Sequence, residues 1–362
     1  MIKTEYNKLK KMIVGREFEM PEKLFDITFR VFYQSNLNDI NYEEKFRDDY
    51  THEMIHERNE DLDNLSKVLE GLGVEVFRPK NENKVCGIKT PTFNSISRPS
   101  SSVRDLTFVY GNTIYETPPC VRGRFFENYW LNDTFRELYN SGMNWVQVPK
   151  SFLKDEDIDT DDWKLQRDFK DNKADMFFDG ANILKLGEKL LYNYSSYNAE
   201  RGIRWLRENT SAEIIPVRIT DNHIDGNITC LNDHTLLVNN KHCIVDIKKY
   251  LPEVHPMFKD FDFIELPYEL AYTNDIREQK QRELGLPVLA SYNGMEINII
   301  SVDPKTVVIN SLNEGIGDYL DKCGFNVIPV QLRYSHAFAG NIHCCTLDVE
   351  REEVLDNLVK TL

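Results

Sequence analysis

The sequence predicts an α/β fold in which a β-hairpin, a helix and a further strand recur along the chain. Four tight turns separate pairs of short apolar segments, a pattern typical of β-hairpins. The turns are Gly111-Asn112, Gly187-Glu188, Asn232-Asp233 and Asp303-Pro304. A unit that recurs at long, irregular intervals favours a closed, pseudo-symmetric arrangement over a doubly wound sheet, which needs no hairpin before each helix. An ordinary mixed α+β domain is the alternative.

The elements between the hairpins follow from the spacing of apolar residues. Helical patterns occupy 60–72 and 198–209, and short apolar runs that suit strands follow at 74–77, 214–217 and 327–330. The hydrophobic share of 41% over 362 residues is enough for a sizeable core. Since no Gly/Ser-rich or Pro-rich linker interrupts the chain, we expect one catalytic domain over its whole length.

The segment 154–175 stands apart from this pattern. It is strongly acidic and has no clean period. We expect a solvated excursion there, with a lid over a site as the alternative.

Charge and composition exclude several partners. The formal net charge of −15 repels nucleic-acid backbones and anionic lipids, and no basic patch offsets it. No apolar run reaches the roughly 20 residues of a membrane span. The first 15 residues carry no secretory or transit signature, so we expect a cytoplasmic protein. The seven cysteines are dispersed, with no CxxC pair or zinc-ligand spacing, which predicts thiols in a reducing compartment.

Thiol chemistry is the reaction type that the motifs leave open. The sequence contains no phosphate-binding glycine loop, HExxH or GxSxG motif. Near the C-terminus, SHAFAGNIHCCTLDVE places a loop at 337–340 before a predicted strand that carries His343, Cys344 and Cys345. Because successive strand residues face opposite sides of a sheet, only one of the two cysteines can face a pocket. A buried structural pair is the alternative.

Three further segments carry charged side chains beside predicted turns or strands. His223 and Asp225, in DNHIDGN, would project from one face of an extended segment, as an acid/base group next to an anion. Asp179 follows two phenylalanines at a turn, and Asp105 comes just before an apolar strand. Taken singly, each has a structural alternative: a hydrogen-bonded strand end, a turn cap and a surface ion pair.

Together these segments resemble the amidinotransferase family of guanidino-group modifying enzymes. The resemblance runs nearly end to end. Its motifs are YNKLKKMIVGRE, VRDLTFVYGNTIYETPP with GRFFE, FFDGANILKLG, GIRWL, HIDGN and GNIHCCTLDV. The resemblance implies a pentein-type fold, a five-bladed α/β propeller of ββαβ units around a central active site, which would account for the recurring hairpins.

The resemblance also implies roles for single residues. The family nucleophile falls on Cys344, its general acid/base on His223, and the carboxylate that orients that histidine on Asp179. Asp105 and Asp225 fall on the two acids that grip the guanidinium. The chemistry is physically sound, because paired carboxylates hold a planar cation through charge-assisted hydrogen bonds while a thiolate attacks its central carbon.

The sequence departs from the pattern of the arginine:glycine enzymes where the amino-acid part of a substrate would sit. Where that pattern has a carboxylate-binding arginine, the chain reads VNNKHC, which leaves Lys241 or His242. Glu296, in MEIN, stands where the pattern has a serine. Because Asp105 and Asp225 are both present, we expect arginine to remain the donor. Since lysine holds a carboxylate only as a point charge and Glu296 would repel one, we expect glycine not to be the preferred acceptor. A slip of one residue in the alignment is the alternative.

The function predicted from the sequence is therefore transfer of an amidino group from arginine, or a close guanidino donor, to an amine through a covalent intermediate on Cys344. No cofactor or metal is needed for this chemistry, the partners are small molecules, and the resemblance suggests a homodimer. Two alternatives stay open. One is a guanidine hydrolase of the arginine deiminase kind, in which water attacks the intermediate, and the other is a catalytically silent binding protein.

Overall fold

Five three-stranded sheets with one shared strand order dominate the computed structural model. The described residues are 1–18, 28, 52–80, 87–97, 100–150, 154–159, 164–165, 176–241, 243–272, 295–313, 315–335 and 338–353. In each of the five sheets the central strand pairs antiparallel with one neighbour and parallel with the other. The remaining three sheets repeat this pairing. The α/β class predicted from the sequence is confirmed.

The first sheet takes its strands from both ends of the chain, and the other four are each continuous in sequence. The first contains β1 (Leu9–Val14), β2 (Glu75–Phe77) and β19 (Thr346–Arg351), with β1 in the centre. The others contain β5 (Thr107–Tyr110), β6 (Thr113–Glu116) and β7 (Asn144–Gln147); β10 (Ile183–Leu186), β11 (Lys189–Asn193) and β12 (Glu213–Val217); β13 (Ile228–Cys230), β14 (Thr235–Val238) and β15 (Asp262–Glu265); and β16 (Ile300–Asp303), β17 (Thr306–Asn310) and β18 (Asn326–Val330). Two short ribbons pair β3 (Gly87–Lys89) with β4 (Asn94–Ile96) and β8 (Ile158–Asp159) with β9 (Lys164–Leu165).

A helix precedes the parallel outer strand of every sheet, because parallel neighbours need a crossover connection. The helices, in the order of the five sheets, are α1 (His52–Gly71), α2 (Asn132–Asn140), α3 (Tyr197–Glu200) with α4 (Gly202–Asn209), α5 (Ile247–Val254) and α6 (Ile316–Lys322). The recurring unit is therefore strand, strand, helix, strand, with β19 supplying the missing strand of the first unit.

The four predicted hairpins are all present, as β5–β6, β10–β11, β13–β14 and β16–β17. Gly111 and Gly187 adopt φ values of 61° and 69° in the first two turns, a left-handed conformation that glycine reaches without a Cβ clash. The helix predicted at 60–72 begins earlier, at His52, because its buried face continues towards the N-terminus through Arg58, Ile55 and Met54. The helix predicted at 198–209 is divided into α3 and α4.

Hydrophobic side chains pack between successive sheets. Five clusters join the first sheet to the second, the second to the third, the third to the fourth, the fourth to the fifth and the fifth to the first. In the last of these contacts, Leu62, Leu65 and Leu69 of α1 lie against strands of the first and fifth sheets. Each sheet is therefore covered on both sides by its neighbours, which brings the strand ends and their loops towards one another.

Parts of the predictions fall on residues that the structure does not describe. Of the acidic segment 154–175, only 154–159 and 164–165 are described, and His242 lies outside the described residues. No helix within the described ranges combines the length and the apolar character of a membrane-spanning segment. The six described cysteines are all free thiols.

Candidate functional site

Cys344 and Cys345 lie in a turn and not on a strand, so the predicted strand through them is wrong. The Cys345 amide donates to the Asn341 carbonyl oxygen at 3.0 Å, and the Thr346 amide donates to the His343 carbonyl oxygen at 3.1 Å; β19 begins only at Thr346. These turn hydrogen bonds replace a strand ladder. The two thiols nevertheless point apart, since Cys344 Sγ contacts Asn298 and Asp225 whereas Cys345 Sγ accepts a hydrogen bond from Arg58.

Cys344 is held on both its backbone and its thiol by two polar side chains. Asn298 accepts a hydrogen bond from the Cys344 amide at 3.0 Å and donates its own side-chain amide to Sγ at 3.2 Å. The thiol donates to Asp225 Oδ2 at 3.5 Å. Burial raises the pKa of the Cys344 thiol well above its ordinary value, and the charges of Asp225 and Asp105 raise it further. The thiol is therefore protonated at neutral pH unless a cation binds between these aspartates.

His223 and Asp179 form a hydrogen-bonded pair. His223 Nε2 lies 2.9 Å from Asp179 Oδ2, and its Nδ1 lies 3.8 Å from Asp105 Oδ1. Burial alone would lower the pKa of the His223 imidazole, but the charge of Asp105 and the hydrogen bond with Asp179 raise it to about 9. Burial likewise opposes ionisation of Asp179, yet its hydrogen bond with His223 holds the pKa of that carboxyl below its ordinary value. The pair is an imidazolium and a carboxylate at neutral pH.

The segment that carries His223 is not extended throughout, as the sequence spacing had predicted. His223 itself is extended, but Ile224–Gly226 form a 3₁₀ turn, so His223 and Asp225 do not share the face of a strand. Two short-range hydrogen bonds close the turn: the Gly226 amide donates to the His223 carbonyl oxygen at 3.4 Å, and the Asn227 amide donates to the Ile224 carbonyl oxygen at 2.8 Å. It directs His223 to Asp179 and Asp225 to Cys344 and His343.

Asp179 lies where its predicted turn places it, as the extended residue before the 3₁₀ turn Gly180–Asn182. Gly180 approaches the loop before β5 closely: its amide donates to the Asp105 carbonyl oxygen at 2.5 Å. A Cβ at this position would lie 2.7 Å from the Arg104 carbonyl oxygen, so only glycine fits without displacing backbone. This close approach brings Asp105 and Asp179 into one site.

One carboxylate oxygen of Asp105 accepts a hydrogen bond, and the other has no hydrogen-bond partner among the described residues. Arg124 donates to Asp105 Oδ2 at 2.8 Å and also binds both carboxylate oxygens of Glu127, at 2.6 and 2.8 Å. Asp105 Oδ1 is buried and has no hydrogen-bond partner among the described residues. Burial raises the pKa of Asp105, although the Arg124 charge opposes this. An unpaired buried carboxylate oxygen is costly, and a cationic N–H donor would satisfy it.

Asp225 is held by His343 as well as by Asn298. His343 Nδ1 lies 2.8 Å from Asp225 Oδ2, and Asn298 donates to the same oxygen at 3.0 Å. Burial opposes ionisation of Asp225, but the His343 hydrogen bond keeps the pKa of the carboxyl below its ordinary value. On the far side of the ring, His343 Nε2 is 3.8 Å from Glu5, which forms a salt bridge of 2.7 Å with Lys185. Asp225 is therefore a fixed anion beside Cys344.

Lys241 and Glu296 lie on two segments that are connected through Asn239. They adjoin the site through Asn298, which follows Glu296 by two residues and contacts Cys344. The Lys241 amide donates to Asn239 Oδ1 at 3.0 Å, and the Asn239 side-chain amide reaches Glu296 Oε2 at 3.5 Å. Glu296 is buried, with 4% of its surface exposed, and stands two residues before Asn298. The structure thus places Cys344 and Asp225 in one group of contacts and His223, Asp179 and Asp105 in a second, and the charges of the two groups interact. Lys241 and Glu296 lie on an adjoining network.

Four side chains around these groups were given no role from the sequence: Arg124, Glu127, Asn298 and His343. Arg124, Glu127 and His343 lie inside motifs that carried the resemblance, GRFFE and GNIHCCTLDV, which were the signal that could have found them. Asn298 lies in MEIN, where the sequence departs from the family pattern, and no sequence signal pointed to it. Within the described residues, no group of His, Cys, Asp and Glu side chains has an arrangement that could hold a metal ion.

Comparisons with known proteins find amidinotransferases similar to this chain. No protein-family model matches the sequence. The inosamine-phosphate amidinotransferase 1 of Streptomyces griseus is 30% identical over 308 residues, 83% of either chain. The L-arginine:L-lysine amidinotransferase of Pseudomonas savastanoi pv. phaseolicola is 26% identical over 86% of this chain and 84% of its own.

A solved structure supports the same relationship at the level of the backbone. The inosamine-phosphate amidinotransferase structure from Streptomyces griseus has a TM-score of 0.79 and 26% sequence identity, and the match covers 98% of this chain and 97% of that one. Sequence and backbone similarity therefore extend over most of both chains. Together with the identity of 30% to the first relative, they show that the chain belongs to the amidinotransferase family and is a transferase.

Proposed function

We propose that the protein transfers an amidino group from arginine, or a close guanidino donor, to an amine through a covalent amidino-cysteine intermediate on Cys344. One observation carries the proposal. A buried thiol, a His–Asp pair and two buried aspartates meet at one place, and the aspartate oxygen that faces His223 lacks a hydrogen-bond partner among the described residues. A planar cation with several N–H donors is the ligand that such a site suits.

Donor binding is assigned to Asp105 and Asp225. A guanidinium is protonated at neutral pH and, being resonance-stabilised, is a poor electrophile that must be held in place. Its N–H groups would satisfy the unpaired Asp105 Oδ1 and share the Asp225 carboxylate that now contacts Cys344. Arg124 keeps the other Asp105 oxygen occupied, which fixes the direction of the free one.

Donor binding also prepares the nucleophile. The pKa of the Cys344 thiol is high because of burial and the nearby aspartate charges, and a cation between those aspartates reverses that charge effect. Entry of the guanidinium therefore favours loss of the thiol proton to solvent, and the positive charge of the donor replaces that of the proton. The thiolate then forms a bond to the central guanidinium carbon.

Proton transfer is assigned to His223. The C–N bond to the departing amine breaks as the imidazolium donates its proton to that nitrogen. Ornithine leaves, and the amidino group of arginine stays bound to Cys344 Sγ. The neutral imidazole then takes a proton from the incoming amine, whose nitrogen attacks the amidino carbon while the bond to Cys344 Sγ breaks. Asp179, at 2.9 Å from Nε2, fixes the ring orientation and stabilises the imidazolium.

The test of the proposed function is the product mixture formed from arginine with and without an amine. We expect ornithine and an amidinated amine to appear in equal amounts and only when an amine acceptor is present. Mass spectrometry of both products distinguishes this from the hydrolase. Citrulline and ammonia formed at an undiminished rate without any amine would establish the deiminase alternative instead.

Asp105 and Asp225, which together form the proposed guanidinium clamp, yield a prediction for a variant at each position. Asp105→Asn and Asp225→Asn each remove one charge-assisted contact, so kcat/KM for the donor should fall at least about tenfold in each. Steady-state kinetics with arginine as the varied substrate measure the effect. Asp133→Asn is the matched control, since this acid pairs with Lys80 and Arg136 on the surface. Wild-type kcat/KM in both clamp variants would contradict the donor assignment.

The acceptor is proposed to be an amine that lacks an α-carboxylate, or a diamine, in preference to glycine. Glu296 contributes a buried carboxyl on the segment that leads to Asn298 and Cys344, and no bidentate arginine stands in the VNNKHC segment. A carboxylate there would repel the carboxylate of glycine and attract a cationic amine, and like-charge contacts cost several kcal/mol. The name of the L-arginine:L-lysine relative supports only the preference for a second amine, since lysine also carries an α-carboxylate.

A panel of amines tests this preference. With arginine as donor, diamines should release ornithine at least about tenfold faster than glycine at equal concentration, a difference that needs only about 1.4 kcal/mol. Glu296→Ser should narrow the gap, whereas Glu188→Ser, which removes an exposed acid paired with Lys3, should leave it unchanged. If glycine is the best acceptor of the panel, Glu296 does not select against it.

The proposal also covers the arrangement of the five units, the domain organisation and the oligomeric state. We propose that the five units form the closed, five-bladed propeller implied by the family resemblance. The hydrophobic clusters that join each sheet to the next, and the fifth to the first, support this arrangement. Residues 1–362 are proposed to form one catalytic domain, in line with the 98% coverage of the structural match. A cytoplasmic homodimer that needs no cofactor remains part of the proposal.

A further inference from the structure

Arg58 is a completely buried arginine on α1 that reaches the segment before Cys344. Its guanidinium donates to the Arg333 carbonyl oxygen at 2.7 Å, to Ser335 Oγ at 3.2 Å, to the Gly340 carbonyl oxygen at 2.6 Å and to Cys345 Sγ at 3.0 Å. None of these acceptors is a carboxylate, and Arg58 Nε has no hydrogen-bond partner among the described residues. Burying a cation on neutral acceptors is expensive, so the arrangement calls for a compensating role.

The backbone that Arg58 binds contains two strained residues. Tyr334 has φ of 59° and Ala339 has φ of 51°, both in the left-handed region that side chains with a Cβ rarely adopt. The two carbonyls that accept from Arg58 belong to Arg333, directly before Tyr334, and to Gly340, directly after Ala339. The guanidinium of Arg58 therefore binds the residue before Tyr334 and the residue after Ala339, so that it holds the backbone on both sides of the strained pair.

The rest of α1 holds the same segment and fixes the position of Arg58. Asp61 accepts hydrogen bonds from the Arg333 amide at 2.7 Å and from its guanidinium at 2.9 Å, and Glu57 accepts from the Tyr334 hydroxyl. Arg58 lies between these two acids in the helix. The strained backbone is thus held by a rigid 20-residue helix and not by its own local hydrogen bonds alone.

We propose that Arg58 is a positioning residue that holds residues 338–345 in the strained conformation in which Cys344 faces Asp225 and Cys345 is covered. The inference rests on the proposed role of Cys344 as the nucleophile. Without the guanidinium, Tyr334 and Ala339 would relax and the turn that bears both cysteines would shift. A displacement of about 1 Å of a reacting atom can cost on the order of a hundredfold in rate.

A fork-shaped donor is required for this role, which distinguishes arginine from lysine. The two terminal nitrogens of Arg58 each bind one of the two carbonyls, Nη1 that of Arg333 and Nη2 that of Gly340. Lysine would keep the positive charge but has a single nitrogen at the end of its stem, and it cannot span the two sites. The donor-binding aspartates make no contact with Arg58, so substrate binding should be insensitive to the change.

The experiment compares Arg58→Lys with Arg351→Lys. Arg351 is the matched control, because it is also buried and joins two backbone carbonyl oxygens, those of Asn7 and Ser301. Its remaining hydrogen bond goes to Asp348 and not to the turn that bears the cysteines. For Arg58→Lys we expect kcat to fall at least about tenfold, with KM for arginine within about threefold of the wild type. Alkylation of Cys345 by iodoacetamide, followed by peptide mass spectrometry, should accelerate at least about tenfold. Arg351→Lys should change neither quantity beyond its effect on the folded fraction.

Two outcomes separate this inference from the proposed function. Wild-type kcat and wild-type alkylation in folded Arg58→Lys would overturn the positioning role, and so would losses that simply follow the unfolded fraction measured by circular dichroism. Arg58→Met, assayed in the same way, removes every donor and should show the larger effect. Alkylation needs no substrate, so it reports on the turn even if arginine forms no adduct with wild-type Cys344, a result that would contradict the proposed function alone.

Discussion

Replacing Cys344 with alanine is expected to abolish amidino transfer. The thiol of Cys344 is the group that would bond to the guanidinium carbon, because it contacts Asp225. Cys345 points to Arg58, and Cys120 lies beside Asp179, on the side of the His–Asp pair. We expect kcat to fall by at least about four orders of magnitude, the scale of removing a covalent nucleophile. Wild-type enzyme incubated with arginine should gain the mass of one amidino group on the peptide that carries Cys344 and Cys345, with fragmentation placing it on Cys344.

Cys345→Ala is the matched control for this prediction. It removes the neighbouring thiol and one of the four acceptors of Arg58, while the Arg333 and Gly340 carbonyls remain. Burial raises the pKa of Cys345 to about 11, and its Sγ accepts a hydrogen bond from Arg58 instead of contacting Asp225, so a donor bound by the aspartates would not reach it. The variant should therefore keep most of the activity. An adduct on Cys345, or full activity without Cys344, would exchange the roles of the two cysteines.

The regular part of the fold could be predicted from the sequence because it depends on local chemistry. Gly111 and Gly187 sit between apolar segments, and their left-handed conformation is a property of the turn itself. Each hairpin pairs residues a few positions apart, and the helix that follows is required by the next parallel strand. The closed arrangement that we propose was favoured by the recurrence of the unit and implied by the family resemblance, but no local pattern specifies which sheets are neighbours.

The conformation around the site was predicted less well, for reasons that lie in the same local patterns. The sequence around His343 and Cys344 alternates as a strand would, but its amides bond within a turn. The spacing of His223 and Asp225 suggests an extended segment, but a 3₁₀ turn intervenes. In both cases the residues reach the site through long-range contacts, such as that of Asn298 with Cys344, which periodicity does not reveal.

Arg58 shows the limit most clearly. It precedes the helix predicted at 60–72 and carries no motif, yet it is fully buried and donates to the Gly340 carbonyl oxygen 282 residues away. Patterning treats an arginine as a surface residue, because charged side chains are almost never fully buried without a partner. Such exceptions occur where the chain must hold an unfavourable conformation, and they require the structure to be seen.

Ionisation of the His223–Asp179 pair makes stability depend on pH in a defined direction. The pKa of His223 is raised to about 9 in the folded protein from an ordinary value of 6.5. The folded state therefore binds the proton more tightly, and the stabilisation is complete below pH 6.5 and is lost as the pH rises through about 9. It amounts to at most about 3 kcal/mol. The same window governs catalysis, since proton donation to the leaving amine needs the imidazolium.

His223→Asn is expected to lower kcat at least about a thousandfold, because the leaving amine then departs without a proton and the incoming amine keeps its own. Steady-state kinetics measure the loss, and wild-type kcat should decline above pH 9 as the imidazolium deprotonates. Urea unfolding provides an independent readout: the stability difference between wild type and variant should shrink between pH 6.5 and pH 9.5. His234→Asn, which changes an exposed histidine beside Asp233, should affect neither measurement. A variant at His223 that retained wild-type kcat would assign proton transfer to another group, and a stability difference independent of pH would show that His223 is neutral in the folded enzyme.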